Sequence, residues 1–400
     1  MSVPSYNADI VIVGTGMAGV TLARELRKLD QDVPIHMITS DDGQVYSKPM
    51  ISNAFAQGKS PEALVQKTAA QMAEDLGVRV WTHTQVRSID RAARSVHVDG
   101  PGGRHAMGYG DLVLATGATP RPFEVEGSAS VPLPAVNSLT DYARWRADLI
   151  EGARVLIIGA GLIGLEFAND LVNAGYRGEV VDPMAKPLGR LLPDELGRIM
   201  QDALTDIGVT FHMGTTVTGI APGKNGDKNG GAGGHVARLA NGKRIVFDHA
   251  LSAIGLLPNT GLARDAGLRV GRGIRVDAHL RTSDPHIHAL GDCAETDAGV
   301  LPFILPLMAE ARALAKTLTG TPTLVDLPAL PVTVKTPALP TVVCPPAPGA
   351  EGDWVVEGNG YDRRALFVSP HGEELGFALT GTETKARQTL AKEMPRLLAA

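Results

Sequence analysis

Short apolar runs rich in β-branched residues alternate with helical patterns in the first part of the chain. Residues 9–14, DIVIVG, predict a strand, and the following AGVTLARELRKLD predicts a helix because Ala18, Leu22 and Leu26 share one face. VPIHMITSDD (33–42) predicts a second strand. A strand–helix–strand unit of this kind predicts a parallel, doubly wound sheet.

The same pattern begins again at residue 154. RVLIIG predicts a strand, GLIGLEFANDLVNAG a helix and GEVVDP a further strand. The first glycines of the two units, Gly14 and Gly159, lie 145 residues apart (159 − 14 = 145). We therefore predict two separate nucleotide-binding units rather than one unit and a chance repeat.

The end of the chain has a different pattern. Prolines between residues 326 and 354 exclude long helices, while alternating valines predict short strands. DWVVEG, RALFVS and ELGFALTG predict a small antiparallel sheet, and TETKARQTLAKEMPRLL (382–398) predicts a closing helix. Residues 221–235, rich in glycine, predict a hairpin tip. The expected fold class is α/β, with two Rossmann-like dinucleotide-binding domains and a small α+β C-terminal domain.

Each strand-to-helix junction carries a glycine motif. GTGMAG supplies Gly14, Gly16 and Gly19, and GAGLIG supplies Gly159, Gly161 and Gly164. In such motifs the first glycine allows the tight turn, the second lets the backbone approach a pyrophosphate, and the third lets helix and strand pack closely. The phosphates would lie at the helix N-terminus, where free N–H groups and the helix dipole favour negative charge.

An acidic residue follows each motif at the end of the next strand. Asp41 lies 22 residues after Gly19 and can accept hydrogen bonds from ribose hydroxyls. Asp182 lies 23 residues after Gly159 and favours NADH, because a carboxylate would repel the 2′-phosphate of NADPH. Glu166, inside the second helix, either points toward a nicotinamide ring or only complements the helix dipole.

Composition narrows the class of protein. The 400 residues, of which 44% are hydrophobic and 20% charged, are typical of a globular protein with two or three domains. The net charge of −5 gives no general affinity for nucleic acid or an acidic membrane surface. The N-terminus lacks the pattern of a signal peptide, and the two cysteines, Cys293 and Cys344, fit a reducing cytoplasm.

Three further stretches complete a recognisable set. YGDLVLATGATP (109–120) and DHALSAIGLLPNT (248–260) resemble the crossover segments of flavoproteins that bind two dinucleotides, and IRVDAHLRTSDPHIHALGDCAE (274–295) resembles their flavin-ribitol motif. The chain is thereby identified as a member of the FAD-dependent pyridine nucleotide–disulfide oxidoreductase superfamily over nearly its full length. The resemblance implies that residues 1–121 and 253–325 form an FAD domain, residues 122–252 an NAD domain and residues 326–400 a C-terminal interface domain.

Two closer stretches, ITSDDGQVYSKPMIS (38–52) and PVTVKTPALPTVVCPP (331–346), resemble the branch of the superfamily that reduces rubredoxin. This implies an oxidoreductase that passes electrons from NADH through FAD to rubredoxin, a transient partner, and that is a monomer or weak dimer. The alternatives are reduction of a ferredoxin that serves an oxygenase, and an NADH oxidase that works without a thiol.

The resemblance also implies the site residues. FAD would be held by Gly14, Gly16, Gly19, Asp41, Lys48, Thr116, Gly117, Gly255, Gly291, Asp292 and Lys335, and NADH by Gly159, Gly161, Gly164 and Asp182. The catalytic pair would be Lys48 and Glu166, joined by charge near flavin N5, with Lys48 standing where an arginine is common. Lys335 would lie at the rim of the flavin site or be an exposed strand residue.

The implied reaction needs no protein thiol. Residues 41–60 contain no cysteine and the chain has no C-x-x-C motif, which argues against a disulfide reductase. Cys293 is expected to be a small buried residue. No metal site is predicted, because His286 and His288 have no ligand set near them in the sequence.

Overall fold

The computed structural model describes residues 9–223, 234–347 and 349–398. Its α-helices are α1 (Met17–Leu29), α2 (Pro61–Leu64), α3 (Ala69–Leu76), α4 (Leu139–Asp148), α5 (Leu162–Asn173), α6 (Asp194–Asp206), α7 (Gly261–Asp265), α8 (Ile304–Leu318) and α9 (Arg387–Glu393). Short 3₁₀ helices span Lys48–Asn53, Gly291–Cys293 and Gly381–Ala386.

The strands are β1 (Ile10–Val13), β2 (Ile35–Ile38), β3 (Val45–Tyr46), β4 (Val65–Lys67), β5 (Arg79–Trp81), β6 (Gln85–Asp90), β7 (Ser95–Gly100), β8 (Gly103–Gly108), β9 (Asp111–Leu114), β10 (Ala118–Pro120), β11 (Arg154–Ile158), β12 (Arg177–Asp182), β13 (Thr210–Met213), β14 (Val217–Pro222), β15 (His235–Leu239), β16 (Arg244–Phe247), β17 (His249–Ser252), β18 (Leu256–Pro258), β19 (Ile274–Arg275), β20 (Ile287–Ala289), β21 (Ala294–Glu295), β22 (Val332–Val334), β23 (Thr341–Cys344), β24 (Asp353–Asn359), β25 (Asp362–Val368) and β26 (Glu374–Thr380).

The first glycine motif belongs to a five-stranded parallel sheet with the order β20-β9-β1-β2-β5. Its central strand β1 is buried at every position, as expected for a strand covered on both faces. Strand β20 joins this sheet from residues 287–289, so the chain leaves the sheet after β9 and returns much later. Helices α1 and α8 pack against each other.

The second glycine motif belongs to a four-stranded parallel sheet with the order β13-β12-β11-β17. Here too the first strand, β11, lies in the interior of the sheet with β12 and β17 as neighbours. Antiparallel three-stranded sheets, β6-β7-β8 and β14-β15-β16, accompany the two parallel sheets. Strands β14 and β15 pair antiparallel, but most of the predicted hairpin tip, residues 224–233, lies outside the described residues.

The C-terminal part is a five-stranded antiparallel sheet with the order β22-β23-β26-β25-β24. The expectation of one helix over residues 382–398 is wrong. The chain forms a 3₁₀ helix over Gly381–Ala386, α9 spans only Arg387–Glu393, and Pro395 follows two residues later because proline cannot continue a helix.

The predicted fold class is confirmed: two Rossmann-like units are followed by a small α+β domain. The boundaries at residues 121, 252 and 325 stay predictions. One hydrophobic cluster contains Ile51, Leu165 and Val334, so residues from all three predicted domains share a core at one place. Glu166 follows Leu165 and Lys335 follows Val334, so these two charged residues also lie at that place.

Candidate active site

The first glycine loop is tight on one side and open on the other. Gly14 has a φ of +118°, and a Cβ there would lie 2.3 Å from the carbonyl oxygen of Ala115. A Cβ on Gly19 would lie 2.0 Å from the carbonyl oxygen of Gly14, so helix and strand approach too closely for any side chain. An added Cβ on Gly16 meets nothing within 4 Å, which leaves space in front of the helix.

The second loop has the same geometry. Gly159 has a φ of +110°, and a Cβ on Gly164 would lie 1.9 Å from the carbonyl oxygen of Gly159. An added Cβ on Gly161 again meets nothing within 4 Å. Gly16 and Gly161 are the N-caps of α1 and α5, and neither helix has a side-chain cap or an acidic residue in its first turn. Both loops therefore fit the pyrophosphate of a dinucleotide, as FAD and NAD binding requires.

Asp41 follows the second strand of its unit and Asp182 ends the second strand of the other, as predicted, and both carboxylates also accept hydrogen bonds from the backbone. Asp41 Oδ1 accepts hydrogen bonds from Thr39 Oγ1 (2.5 Å) and from the Gly43 N–H (2.9 Å). Asp182 Oδ2 accepts from the Ala160 N–H (2.7 Å), inside the second glycine loop, and Oδ1 accepts from the Met184 N–H (2.7 Å). Their contacts with ribose stay a prediction.

The two crossover segments lie side by side, because β10 and β18 pair antiparallel. Thr116 Oγ1 donates to the carbonyl oxygen of Asn259 at 3.0 Å, and the Asn259 N–H donates to the carbonyl oxygen of Gly117 at 2.9 Å. Gly117 and Gly255 have φ values of +65° and +105°, so both turns depend on glycine. The structure thus brings Thr116, Gly117 and Gly255 together at one junction.

Lys48 is the first residue of the 3₁₀ helix Lys48–Asn53. Burial lowers the pKa of Lys48, and the carboxylates of Asp292 and Asp141 partly oppose that effect. Burial likewise raises the pKa of Asp292, against the influence of Lys48. The predicted charged pair between Lys48 and Glu166 is wrong, because the cation that lies within 4 Å of the Glu166 carboxylate is Lys335.

The lysine that pairs with Glu166 is Lys335. Lys335 Nζ lies 2.6 Å from Glu166 Oε2, and the Lys335 backbone N–H donates to Glu166 Oε1 at 3.1 Å. Glu166 is only 3% exposed, whereas the Lys335 side chain is 31% exposed. Lys335 is therefore not an ordinary exposed strand residue, while its place at the rim of the flavin site stays a prediction. It neutralises a buried carboxylate.

Residues of the 3₁₀ helix complete this ion pair. Ser52 Oγ donates to Glu166 Oε2 at 2.6 Å. Lys335 Nζ donates to Ser52 Oγ (2.8 Å), to Asn53 Oδ1 (3.0 Å) and to the carbonyl oxygen of Pro49. Four acceptors, including the carboxylate, thus surround the three N–H donors of the ammonium group, which holds the charge in place. Sequence reasoning missed Ser52 and Asn53.

Two further residues that the sequence analysis missed lie on the same face of α5 as Glu166. Asn169 Oδ1 accepts from the Ala338 N–H at 3.1 Å, and Asp170 accepts from the backbone N–H groups of Phe55 (2.8 Å) and Ala56 (3.1 Å). We call Glu166, Asn169 and Asp170 the polar face of α5. All are buried, and burial raises the pKa of Asp170. The signal was present as three polar residues at i, i+3 and i+4 in a helix whose other residues, apart from Asn173 at its end, are apolar.

The Gly-Asp motif lies beside the first glycine loop. Gly291 has a φ of +73°, and a Cβ there would lie 2.9 Å from Ala18 Cβ on α1. Cys293 is fully buried, and Cys293 Sγ donates to the carbonyl oxygen of Leu114 at 3.3 Å. Burial raises its pKa, so the expectation of a small buried residue agrees with the structure.

Two glycine loops that fit dinucleotides, with a buried glutamate paired with Lys335, are typical of a flavoprotein reductase of the two-dinucleotide class. A family model described as "Pyridine nucleotide-disulphide oxidoreductase" matches residues 8–315, and one described as "Rubredoxin binding C-terminal domain" matches residues 324–394. The chain belongs to the pyridine nucleotide–disulphide oxidoreductase family and carries the C-terminal domain of its rubredoxin-binding branch.

Individual relatives agree with this assignment. The chain is 46% identical to a rubredoxin-NAD(+) reductase of Alcanivorax borkumensis over 395 residues, with 97% of this chain and 99% of the relative covered. It is 41% identical to the rubredoxin-NAD(+) reductase of Acinetobacter baylyi, with 98% and 99% covered. The structure of the covalent putidaredoxin reductase–putidaredoxin complex matches with a TM-score of 0.85 and 26% identity, covering 97% of this chain and 94% of that one. The predicted resemblance to rubredoxin–NAD reductases is confirmed.

Membrane-spanning helices and metal-binding clusters are both absent from the described residues. None of the helices in that part of the chain is long and apolar enough to cross a membrane. Within the same ranges, no group of three or more His, Cys, Asp and Glu residues could hold a metal ion.

Proposed function

We propose that this chain oxidises NADH and passes the electrons through FAD to rubredoxin. Bound FAD supplies the conversion of a hydride into single electrons, which an iron centre can accept. The protein supplies the two binding loops, the charges between them and a docking domain. One observation carries the proposal: Lys335, in the domain matched by the rubredoxin-binding model, pairs with Glu166 on the helix that begins at the second glycine loop.

Residues at different positions would hold different parts of FAD and NADH. The loops at Gly16 and Gly161 would hold the pyrophosphates of FAD and NADH against free helix N–H groups. Asp292 would accept hydrogen bonds from the ribitol hydroxyls of FAD. Helix α8 begins without a side-chain cap, so its N-terminal N–H groups are available to stabilise negative charge. The catalytic contribution of Lys48 remains part of the proposal.

Glu166 and Lys335 form the charged pair expected near the reacting rings. The carboxylate orients the ammonium group, and the ammonium group offsets the cost of burying the carboxylate. Because Glu166 is on α5 and Lys335 follows β22, the pair also fixes the C-terminal domain against the nucleotide-binding helix. Hydride transfer requires the protein to place the hydride donor and the hydride acceptor precisely.

The cysteines take no part in this proposal. Cys293 and Cys344 are buried, and burial raises the pKa of Cys344 to about 11. A reactive thiol needs an accessible thiolate, which neither environment favours. Bound FAD would therefore supply its electrons directly to the protein partner, without a thiol of this chain.

The proposal extends to the cofactor preference, the cellular location and the oligomeric state of the protein. Asp182 selects NADH over NADPH, since its carboxylate lies at the end of β12 where a 2′-phosphate would approach. The protein works in the cytoplasm, where its two free cysteines would stay reduced. It acts as a monomer or weak dimer and docks rubredoxin briefly, as electron-transfer partners do.

The test is stopped-flow reduction of the purified FAD-loaded protein by NADH without oxygen. We expect bleaching of the flavin absorbance, followed by rapid reoxidation on mixing with oxidised rubredoxin. NADPH in place of NADH should give a kcat/KM at least about tenfold lower, the effect of roughly 1.4 kcal/mol. A protein that binds no FAD would overturn the proposal.

Stopped-flow measurements also distinguish the two alternative functions, reduction of a ferredoxin and oxidation of NADH by oxygen. Fast reoxidation by a two-iron ferredoxin and not by rubredoxin would establish the ferredoxin reductase. Rapid oxygen consumption with NADH alone, unaffected by either iron protein, would establish the NADH oxidase.

A further inference from the structure

Helix α8 carries a buried acid that the proposed reaction does not use. Glu310 is 2% exposed and lies on the buried face of the helix, which also contains Leu307, Ala311 and Leu314. Burial raises the pKa of Glu310 to about 7. A carboxyl group in such surroundings needs a specific partner, because an unpaired charge there is costly.

The partner is the backbone of the Gly-Asp motif. The Gly291 N–H donates to Glu310 Oε2 at 2.7 Å. Gly291 is in the left-handed region with a φ of +73°, and a Cβ added to it would lie 2.9 Å from Ala18 Cβ on α1, which leaves no room for a side chain. The direction in which the chain enters Asp292 therefore depends on three fixed points, and Glu310 supplies one of them.

Glu310 interacts electrostatically with Asp292, and Asp292 in turn interacts with Lys48. Helix α8 packs against α1 and the 3₁₀ helix Gly291–Cys293. The buried side chains of α1 are apolar, so the charged group that acts on Glu310 is Asp292, which raises its pKa. Lys48 in turn lowers the pKa of Asp292. Ionisation of Glu310 thus places a second negative charge beside the residue that would hold the ribitol.

We propose that Glu310 is a positioning residue for FAD: its carboxyl group fixes the Gly291–Asp292 segment, and loss of its proton weakens FAD binding. This inference rests on the proposed function, since it takes FAD as the ligand of Asp292. When protonated, Glu310 holds the Gly291 N–H without a charge. When ionised, it repels Asp292 and the anionic phosphates of FAD, so FAD affinity falls as the pH rises through the pKa of Glu310.

The test measures the Kd of the apo-protein for FAD by quenching of flavin fluorescence, about one pH unit below and above the pKa of Glu310. For the wild type we expect binding to be about three- to tenfold weaker at the higher pH. Glu310→Gln keeps an oxygen for the Gly291 N–H but cannot ionise, so its Kd should not change between the two pH values. Glu310→Ala should weaken binding about tenfold at both, because the Gly291 N–H loses its acceptor.

A matched control is available in Glu295. Glu295 Oε2 also accepts a glycine N–H, from Gly273 at 2.8 Å. Glu295→Gln should therefore keep the pH dependence of the wild type. Thermal unfolding of each apo-variant separates a lost fold from a lost site.

Two outcomes would overturn the inference. One is a Glu310→Gln variant with the same pH dependence as the wild type, and the other is a folded Glu310→Ala variant with wild-type affinity. If the wild type binds no FAD at either pH, the proposed function fails instead.

Discussion

Lys335 and Glu166 form an ion pair of 2.6 Å although 169 residues separate them in the chain. The pair connects the segment after β22 to the middle of α5, and Ser52 joins it from the 3₁₀ helix. One buried charge is therefore shared among three parts of the chain. Removing either partner has consequences for both stability and reaction rate.

Replacing Lys335 with methionine leaves the carboxylate of Glu166 buried without its cation. We expect a loss of about 1–3 kcal/mol in the free energy of unfolding, less than for a fully buried pair because the lysine is partly exposed. Urea unfolding measures this, and NADH should also reduce the flavin more slowly. In a double-mutant cycle with Glu166→Gln, a coupling energy near zero would show that the pair does not act as a unit.

The substitution Lys48→Met should affect Asp292 rather than Glu166. Lys48 lowers the pKa of Asp292, so the substitution removes a favourable charge from the ribitol-binding position. We expect FAD to bind about three- to tenfold more weakly. Equilibrium dialysis of FAD from Lys48→Met and Lys335→Met distinguishes the two lysines, since Lys335→Met should retain FAD. If Lys48→Met slows reduction while its FAD affinity is unchanged, Lys48 acts on hydride transfer rather than through Asp292.

Replacing Asp170 tests the polar face of α5 independently of the ion pair between Lys335 and Glu166. Asp170→Ala would leave the N–H groups of Phe55 and Ala56 buried without an acceptor, which costs about 2–4 kcal/mol in the free energy of unfolding. Asp202→Ala, at an exposed acid on α6, is the control and should stay within about 0.5 kcal/mol of the wild type. Equal effects in the two variants would contradict the assignment.

The stability of the apo-protein should depend on pH through Glu310. Its folded-state pKa of about 7 lies above its ordinary value of 4.5, so the folded protein binds the proton more tightly than the unfolded chain. The free energy of unfolding should therefore fall as the pH rises between these two values, by up to about 3 kcal/mol. Chemical unfolding across this range measures the slope, with Glu310→Gln as reference. A wild type and a variant with parallel pH profiles would refute the shift.

Local features of the site could be predicted from the sequence. The glycine motifs could be predicted from spacing, because the third glycine of each motif contacts the first within one strand–helix unit: a Cβ on Gly19 would lie 2.0 Å from the carbonyl oxygen of Gly14, and a Cβ on Gly164 would lie 1.9 Å from that of Gly159. Gly14 and Gly159 have the positive φ that the tight turn requires, and the space before Gly16 and Gly161 is open as expected.

Contacts between distant segments could not be predicted. Spacing says nothing about which lysine reaches Glu166, and the structure pairs Glu166 with Lys335 rather than Lys48. Glu310 was overlooked because an acid in a helix usually faces solvent. Its spacing from Leu307 and Leu314 places it on the apolar side, and that pattern could have shown its burial.

The polar face of α5 limits how this enzyme can be rebuilt. A transplanted nucleotide domain that changes the cofactor preference would bring its own α5, and with it new residues at positions 166, 169 and 170. Those side chains are matched to backbone N–H groups at Phe55, Ala56, Lys335 and Ala338, which belong to other segments. A working chimera must therefore keep these three residues from the recipient, even when every other residue of the helix comes from the donor.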